Sequence, residues 1–262
     1  MTSTSIGRGL RVMIQDPARG LRALARRAPR FLGHQDYVPF IVLSRSRTGS
    51  NLLVSFLNSH PHAYADGEIM GRLGTQDPRR AVDEAFGRQA RYIRAKGFKL
   101  FYYHPVDQDP RDLGAVLLGI EDLRVIHLRR RNVLRTLTSR RIAEARDQWT
   151  SIETTAGSSP QPASVVFDPD ELRQQFEQTC RWELEAQRDF AGHPVHDLIY
   201  EDLVEDPVGR FRGVTDFLGL APCVPDTPFH RQNPQPLSQL IDNYEDLRNS
   251  FRGSPWQEFF VD

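Results

Sequence analysis

The sequence predicts an α/β protein, a three-layer P-loop-like fold in which helices flank a central parallel sheet. Three observations predict it. Short apolar runs suited to buried parallel strands alternate with longer stretches of helical periodicity. The first run, Phe40 to Leu43, passes through a polar turn straight into Leu52, Leu53, Phe56 and Leu57 at helical spacing. Finally, 262 residues of which 39% are hydrophobic can bury one sizeable core.

In order, the apolar run marks a strand at 39–43 and its helical continuation a helix at 50–59. Helical periodicity over 78–95 leads to a second strand at 97–103, Gly97 to Tyr103, followed by His104. A helix at 110–119 precedes the strand 123–128, which runs into Arg129, Arg130 and Arg131. Asn132 suits the N-cap of the next helix, 132–147. The polar Ser, Thr, Pro and Gly stretch at 150–164 reads as a loop able to cover a site. A helix at 169–191, a strand at 196–200 and helices near 207–218 and 236–249 complete the chain. No repeat is visible, and the longest apolar run is too short to cross a bilayer.

Charge divides the chain in two. Residues 1–34 hold seven arginines and one acid, Asp16, hence +6, so residues 35–262 carry −6 to reach the net zero. Within 17–32, Leu21, Leu24, Ala25, Ala28, Phe31 and Leu32 share one helical face. A basic amphipathic extension of this kind suits an anionic membrane surface, a transit peptide, or a helix packed on the acidic body. An apolar secretory core is lacking, and two cysteines, Cys180 and Cys223, make no metal or redox spacing. These features suit a cytoplasmic protein with peripheral membrane contact. The balanced charge of the body and the lack of a recognised motif argue against nucleic acid as a partner.

The turn at 44–51 is an anion site by construction. Such a junction aims the unpaired N–H groups of a helix start at a ligand, and Gly49 lets the backbone approach closely. A nucleoside triphosphatase loop would need Lys after its glycine, but Ser50 and Asn51 follow Gly49. A magnesium-binding Asp at a strand end is also not evident, so no metal is expected. His60 and His62 have no further ligand nearby. What remains is a loop that holds anionic oxygens with N–H groups, hydroxyls and Arg47.

The segment 46–51 resembles the 5′-phosphosulfate loop of sulfotransferases that use 3′-phosphoadenosine 5′-phosphosulfate, and is most similar to bacterial carbohydrate enzymes of the nodulation-factor and trehalose type. The resemblance implies that Arg47 stands beside the 5′-phosphate, with Thr48, Gly49, Ser50 and Asn51 as its cradle. It assigns the 3′-phosphate to Arg131 and, eight residues on, Ser139. Residues 199–207 and 217–220 resemble the late strand and helix of the same family, so the likeness runs from about residue 38 to near the end.

Transfer to an alcohol needs a general base. Glu68 is the first choice, since the chain returns there towards the sheet mouth and related bacterial enzymes place a proposed catalytic Glu at that distance. His104, at the ligand end of a strand, is the competitor. Lys99, one of two lysines, points either into the site or onto an edge. Arg252 with Gly253, and Arg231 with Gln232, are weaker candidates for the 3′-phosphate, and Tyr200 lies either near the adenine or in the core. The expectation is therefore metal-independent, in-line sulfuryl transfer to a hydroxyl of a carbohydrate or glycolipid. The alternatives are a P-loop nucleotide kinase or ATPase, and a non-catalytic nucleotide-fold binding protein.

Overall fold

A computed structural model describes residues 33–146, 164–227 and 235–261. The basic segment 1–32, most of the polar loop at 150–164, and Arg231 with Gln232 lie outside the described residues.

Five strands form one sheet, all parallel, in the order β2-β3-β1-β4-β5: β1 Val38–Ser44, β2 Ala63–Asp66, β3 Ala95–Phe101, β4 Arg124–Arg129 and β5 Val195–Ile199. β1 is central, with Leu43 in register with Leu100 on one side and His127 on the other. Its residues Phe40 to Val42 are fully buried, as a strand covered on both faces requires.

Alternation along β1 decides which helices cover which face. Phe40 and Val42 pack with Leu53, Phe56 and Leu57 of α1 (Ser50–Ser59) and with Phe211 and Val214 of α7 (Pro207–Phe217). Ile41 and Leu43 turn the other way, onto α2 (Pro78–Ala85), α3 (Pro110–Leu118) and Ala186 of the long α5 (Pro169–Asp189). A third cluster, centred on Phe176 and Phe251, ties α5 to α4 (Val133–Arg146), α8 (Leu237–Leu240), α9 (Tyr244–Ser250) and the final 3₁₀ turn Gln257–Phe259. The remaining short helix, α6 (Tyr200–Glu205), follows β5 directly.

The chain leaves β1 towards β2 but leaves β4 towards β5, so the direction of winding reverses at β1. Open parallel sheets bind ligands at the carboxyl ends of strands where this reversal occurs.

Three differences from the sequence reading have local causes. β2, AlaTyrAlaAsp, has too few apolar residues to announce itself and becomes a strand by pairing with β3. The helix expected at 78–95 stops at Ala85, because the chain turns at Phe86 and Gly87 and Gln89 pairs with His34. The helix expected at 236–249 is two, broken at Ile241, which bridges to Val165.

Candidate active site

The turn between β1 and α1 carries two residues with positive φ, Arg47 at 67° and Gly49 at 98°. A left-handed non-glycine residue is strained and is held only where its surroundings fix it. Several contacts do so at Arg47: Arg130 Nη1 donates to its carbonyl at 3.2 Å, and its own Nε donates to Ser139 Oγ at 3.1 Å. Burial, then the Arg130 charge, lowers the Arg47 pKa. Beside them Arg45 is almost fully buried and donates to Thr179 Oγ1 and, at 2.8 Å, to Gln175 Oε1, which pins the loop to α5.

Gly49 has a second reason to be glycine. A Cβ there would overlap Cδ2 of Tyr200, whose ring lies against the loop and carries the Arg130 guanidinium 4.6 Å from its centroid. Tyr200 is thus half-buried packing under the loop, the core role weighed for it above.

α1 also begins differently from its neighbours. α2, α3, α5 and α7 are each capped by an aspartate, Asp77, Asp109, Asp168 and Asp206, whereas Gly49 caps α1 with no side-chain acceptor and no acid follows in the first turn. Its first N–H groups keep their positive end of the helix dipole for an external anion. The buried Ser44 hydroxyl and Arg45 Nε, without hydrogen-bond partners among the described residues, add polar atoms at the same turn. The residues present fit an anionic donor.

Lys99 resolves inwards. It is 4% exposed on β3, donates to Asn51 Oδ1 at 2.5 Å, and pairs with Glu68 Oε1 at 2.7 Å. Burial lowers its pKa, and the hydrogen bond and charge of Glu68 work against that shift. Glu68 follows β2, and its side chain is 45% exposed, so a carboxylate held at one oxygen keeps access to solvent. The anion loop, Lys99 and Glu68 form one connected set.

His104 lies nearby but its ring is committed. Its Nδ1 accepts from the Phe101 amide at 3.4 Å, which leaves the proton on Nε2, and burial lowers its pKa to about 4. In that state the ring is neutral, offers a hydrogen-bond donor at Nε2 and is a weak base. His127, deeper in the sheet, takes the Tyr102 hydroxyl at 2.8 Å and donates to Asp197 at 3.2 Å; burial also lowers its pKa to about 4.

Of the two residues expected to share one phosphate, Ser139 joins the loop and Arg131 turns to solvent. The Arg131 guanidinium is 59% exposed and pairs with Asp202, while its amide donates to Glu201 at 3.0 Å. Arg130, which the sequence reading passed over, is the arginine that reaches the loop. Thr48 and Ser50 are buried in the turn. Arg252 and Gly253 line an open cleft with Arg248 and Glu258, and no residue of the 44–51 turn lines it. His60 and His62 are occupied by the carbonyls of Ala221 and Tyr92, at 2.9 and 2.7 Å.

A family model described as the sulfotransferase family matches residues 106–226. Nodulation protein H of Rhizobium meliloti strain 1021 is 29% identical over 85% of this chain and 94% of its own length. The protein of that name from Rhizobium tropici is 28% identical over 85% of this chain and 92% of its own. Among solved structures, a sulfotransferase from Alicyclobacillus acidocaldarius aligns at 17% identity and a TM-score of 0.49, covering 81% of this chain and 90% of that one.

Proposed function

We propose a donor, an acceptor and residue roles for this chain as a sulfotransferase, the activity that its family match over residues 106–226 and its relatives support. The donor is 3′-phosphoadenosine 5′-phosphosulfate, and the acceptor is a hydroxyl of a carbohydrate or glycolipid. The observation that carries this reading is the contact series from Asn51 through Lys99 to Glu68, because it joins a carboxylate to the anion loop by two hydrogen-bonded steps.

In this scheme Glu68 takes the proton as the acceptor oxygen bonds to sulfur and the bond from sulfur to the 5′-phosphate oxygen breaks. Arg47, Lys99 and the N–H groups of α1 take up the charge left on that oxygen, a role that fixed positive groups fill without reorganising. Thr48, Ser50 and Asn51 line the same cradle. Arg131 and Ser139 hold the 3′-phosphate. The Arg131 pair with Asp202 is largely exposed, and such pairs contribute about 1 kcal/mol or less, so exchanging it for a phosphate is cheap. Arg130 braces the loop from below. No metal is required.

Calorimetric titration with 3′-phosphoadenosine 5′-phosphate, without magnesium and with AMP and ATP as controls, tests the donor. Tight binding that depends on the 3′-phosphate supports the reading. A preference for magnesium ATP, or no binding, sinks it.

A further inference from the structure

Beyond Glu68 the carboxyl edge of the sheet becomes aromatic. β3 ends at Phe101, the turn after it carries Tyr102 and Tyr103, and α5 brings Trp182 against these two tyrosines. The Tyr103 and Trp182 ring centroids are 5.4 Å apart with planes at 44°, and Tyr102 stacks on the same indole at 6.1 Å. Phe101, 5.7 Å from Tyr103, lies 5.2 Å from the Lys99 ammonium, so the rings continue from the Lys99 and Glu68 pair without a break. Tyr103 and Trp182 are both half-buried.

The Tyr103 hydroxyl feels charges from the loop side and from the Glu68 side. Burial pushes its hydroxyl pKa up; Ser46 of the loop and the Arg140 and Arg45 charges pull it down, and the Glu68 charge adds to the rise. Beside the indole stands the Arg45 guanidinium, 5.6 Å from its centroid.

We propose that Tyr103 and Trp182 form the acceptor wall of this site and take the C–H face of a pyranose ring. This inference rests on the sulfotransferase reading above and names the acceptor within it. A sugar presents polarised C–H bonds on its face and hydroxyls around its edge. The electron-rich faces of Tyr and Trp suit the first, and the part-exposed Arg140, whose charge reaches the Tyr103 hydroxyl, suits the second. A phenol or sterol would instead need a largely apolar enclosure, which a wall flanked by charged groups does not provide.

The test uses the full chain with saturating donor and three probe acceptors: trehalose, chitotetraose and 2-naphthol. Donor affinity is measured in parallel with 3′-phosphoadenosine 5′-phosphate. Stacking of this kind contributes about 0.5–1.5 kcal/mol, so Trp182→Leu and Tyr103→Leu should each raise the saccharide KM by up to about tenfold. Donor affinity should stay within about twofold, which also reports that the variants are folded, and Trp182→Phe should restore most of the KM. An unchanged saccharide KM in both leucine variants, with donor still bound, overturns the wall alone. Sulfation of 2-naphthol with neither saccharide accepted also overturns it. If the unaltered chain fails to bind the donor analogue, the sulfotransferase donor assignment falls and this inference with it.

Discussion

Ser139 Oγ accepts a hydrogen bond from Arg47 Nε at 3.1 Å, across 92 residues of sequence. One residue comes from the turn after β1 and the other from the second turn of α4, so the contact joins the two segments proposed to hold the donor's phosphates. A serine hydroxyl that accepts from a guanidinium still has its proton to donate. Ser139 can therefore orient Arg47 and bind a phosphate oxygen together.

Ser139→Ala should lower affinity for 3′-phosphoadenosine 5′-phosphate by roughly 10- to 100-fold, since hydrogen bonds to charged groups contribute about 1.5–3 kcal/mol. Arg47→Ala should cost at least as much and depress turnover as well. Calorimetry and single-turnover rates separate the two effects. Full donor affinity in Ser139→Ala would remove it from the site.

The adjacent arginines should behave differently. Arg131→Ala should weaken donor binding while leaving the melting temperature nearly unchanged, because its pair with Asp202 is exposed. Arg130→Ala should lower both, since its guanidinium holds the Arg47 carbonyl and packs on Tyr200. Thermal scans with and without the donor analogue distinguish them, and equal behaviour of the two variants would count against the assignment.

Glu68→Gln should reduce kcat by about 10²- to 10⁴-fold, the usual worth of a general base, with donor affinity retained. His104→Gln should keep most of the turnover, because its Nδ1 is already an acceptor for the Phe101 amide. Rate profiles of both variants against pH decide the base. Loss of activity in His104→Gln with full activity in Glu68→Gln would exchange their roles.

Stability should fall on acidification through a defined window. His104 and His127 each have a folded pKa of about 4, lowered from the usual 6.5 of histidine, both chiefly by burial. The unfolded chain then binds more protons between those values, so stability is fully present above 6.5 and is lost as pH falls towards 4. Urea melts at pH 7, 5.5 and 4.5 should show that slope, and His127→Gln should make it shallower. A slope unaltered by removing either ring would contradict the burial argument.

Gly49→Ala should be among the most disruptive single changes. It strains a left-handed position and drives a methyl into the Tyr200 ring. Because the ring is a neighbour, pairing the change with Tyr200→Ala should recover part of the melting temperature without restoring donor binding. Recovery of both would show that the glycine serves packing alone.

The β1 strand, the polar turn and α1 were legible because each is specified by neighbours in sequence: an apolar run, a glycine, then helical spacing. The same locality made Arg47 and Glu68 readable as candidates. Lys99 was left open because alternation gives a face but not what covers it; α1 and the return after β2 supplied Asn51 and Glu68 as partners. Three arginines in a row, Arg129 to Arg131, offer no local reason to prefer Arg130. Glu201 and Asp202, beyond β5, draw Arg131 away and leave Arg130 over Tyr200. Tyr103 and Trp182 are separated in sequence, and only the packing of α5 on the sheet brings them together. Sequence alone thus determined the chemistry of the loop, since backbone geometry and charge at one turn are local properties. Tertiary structure decided which side chains meet that loop, because contacts between distant strands and helices follow from burial of their apolar faces.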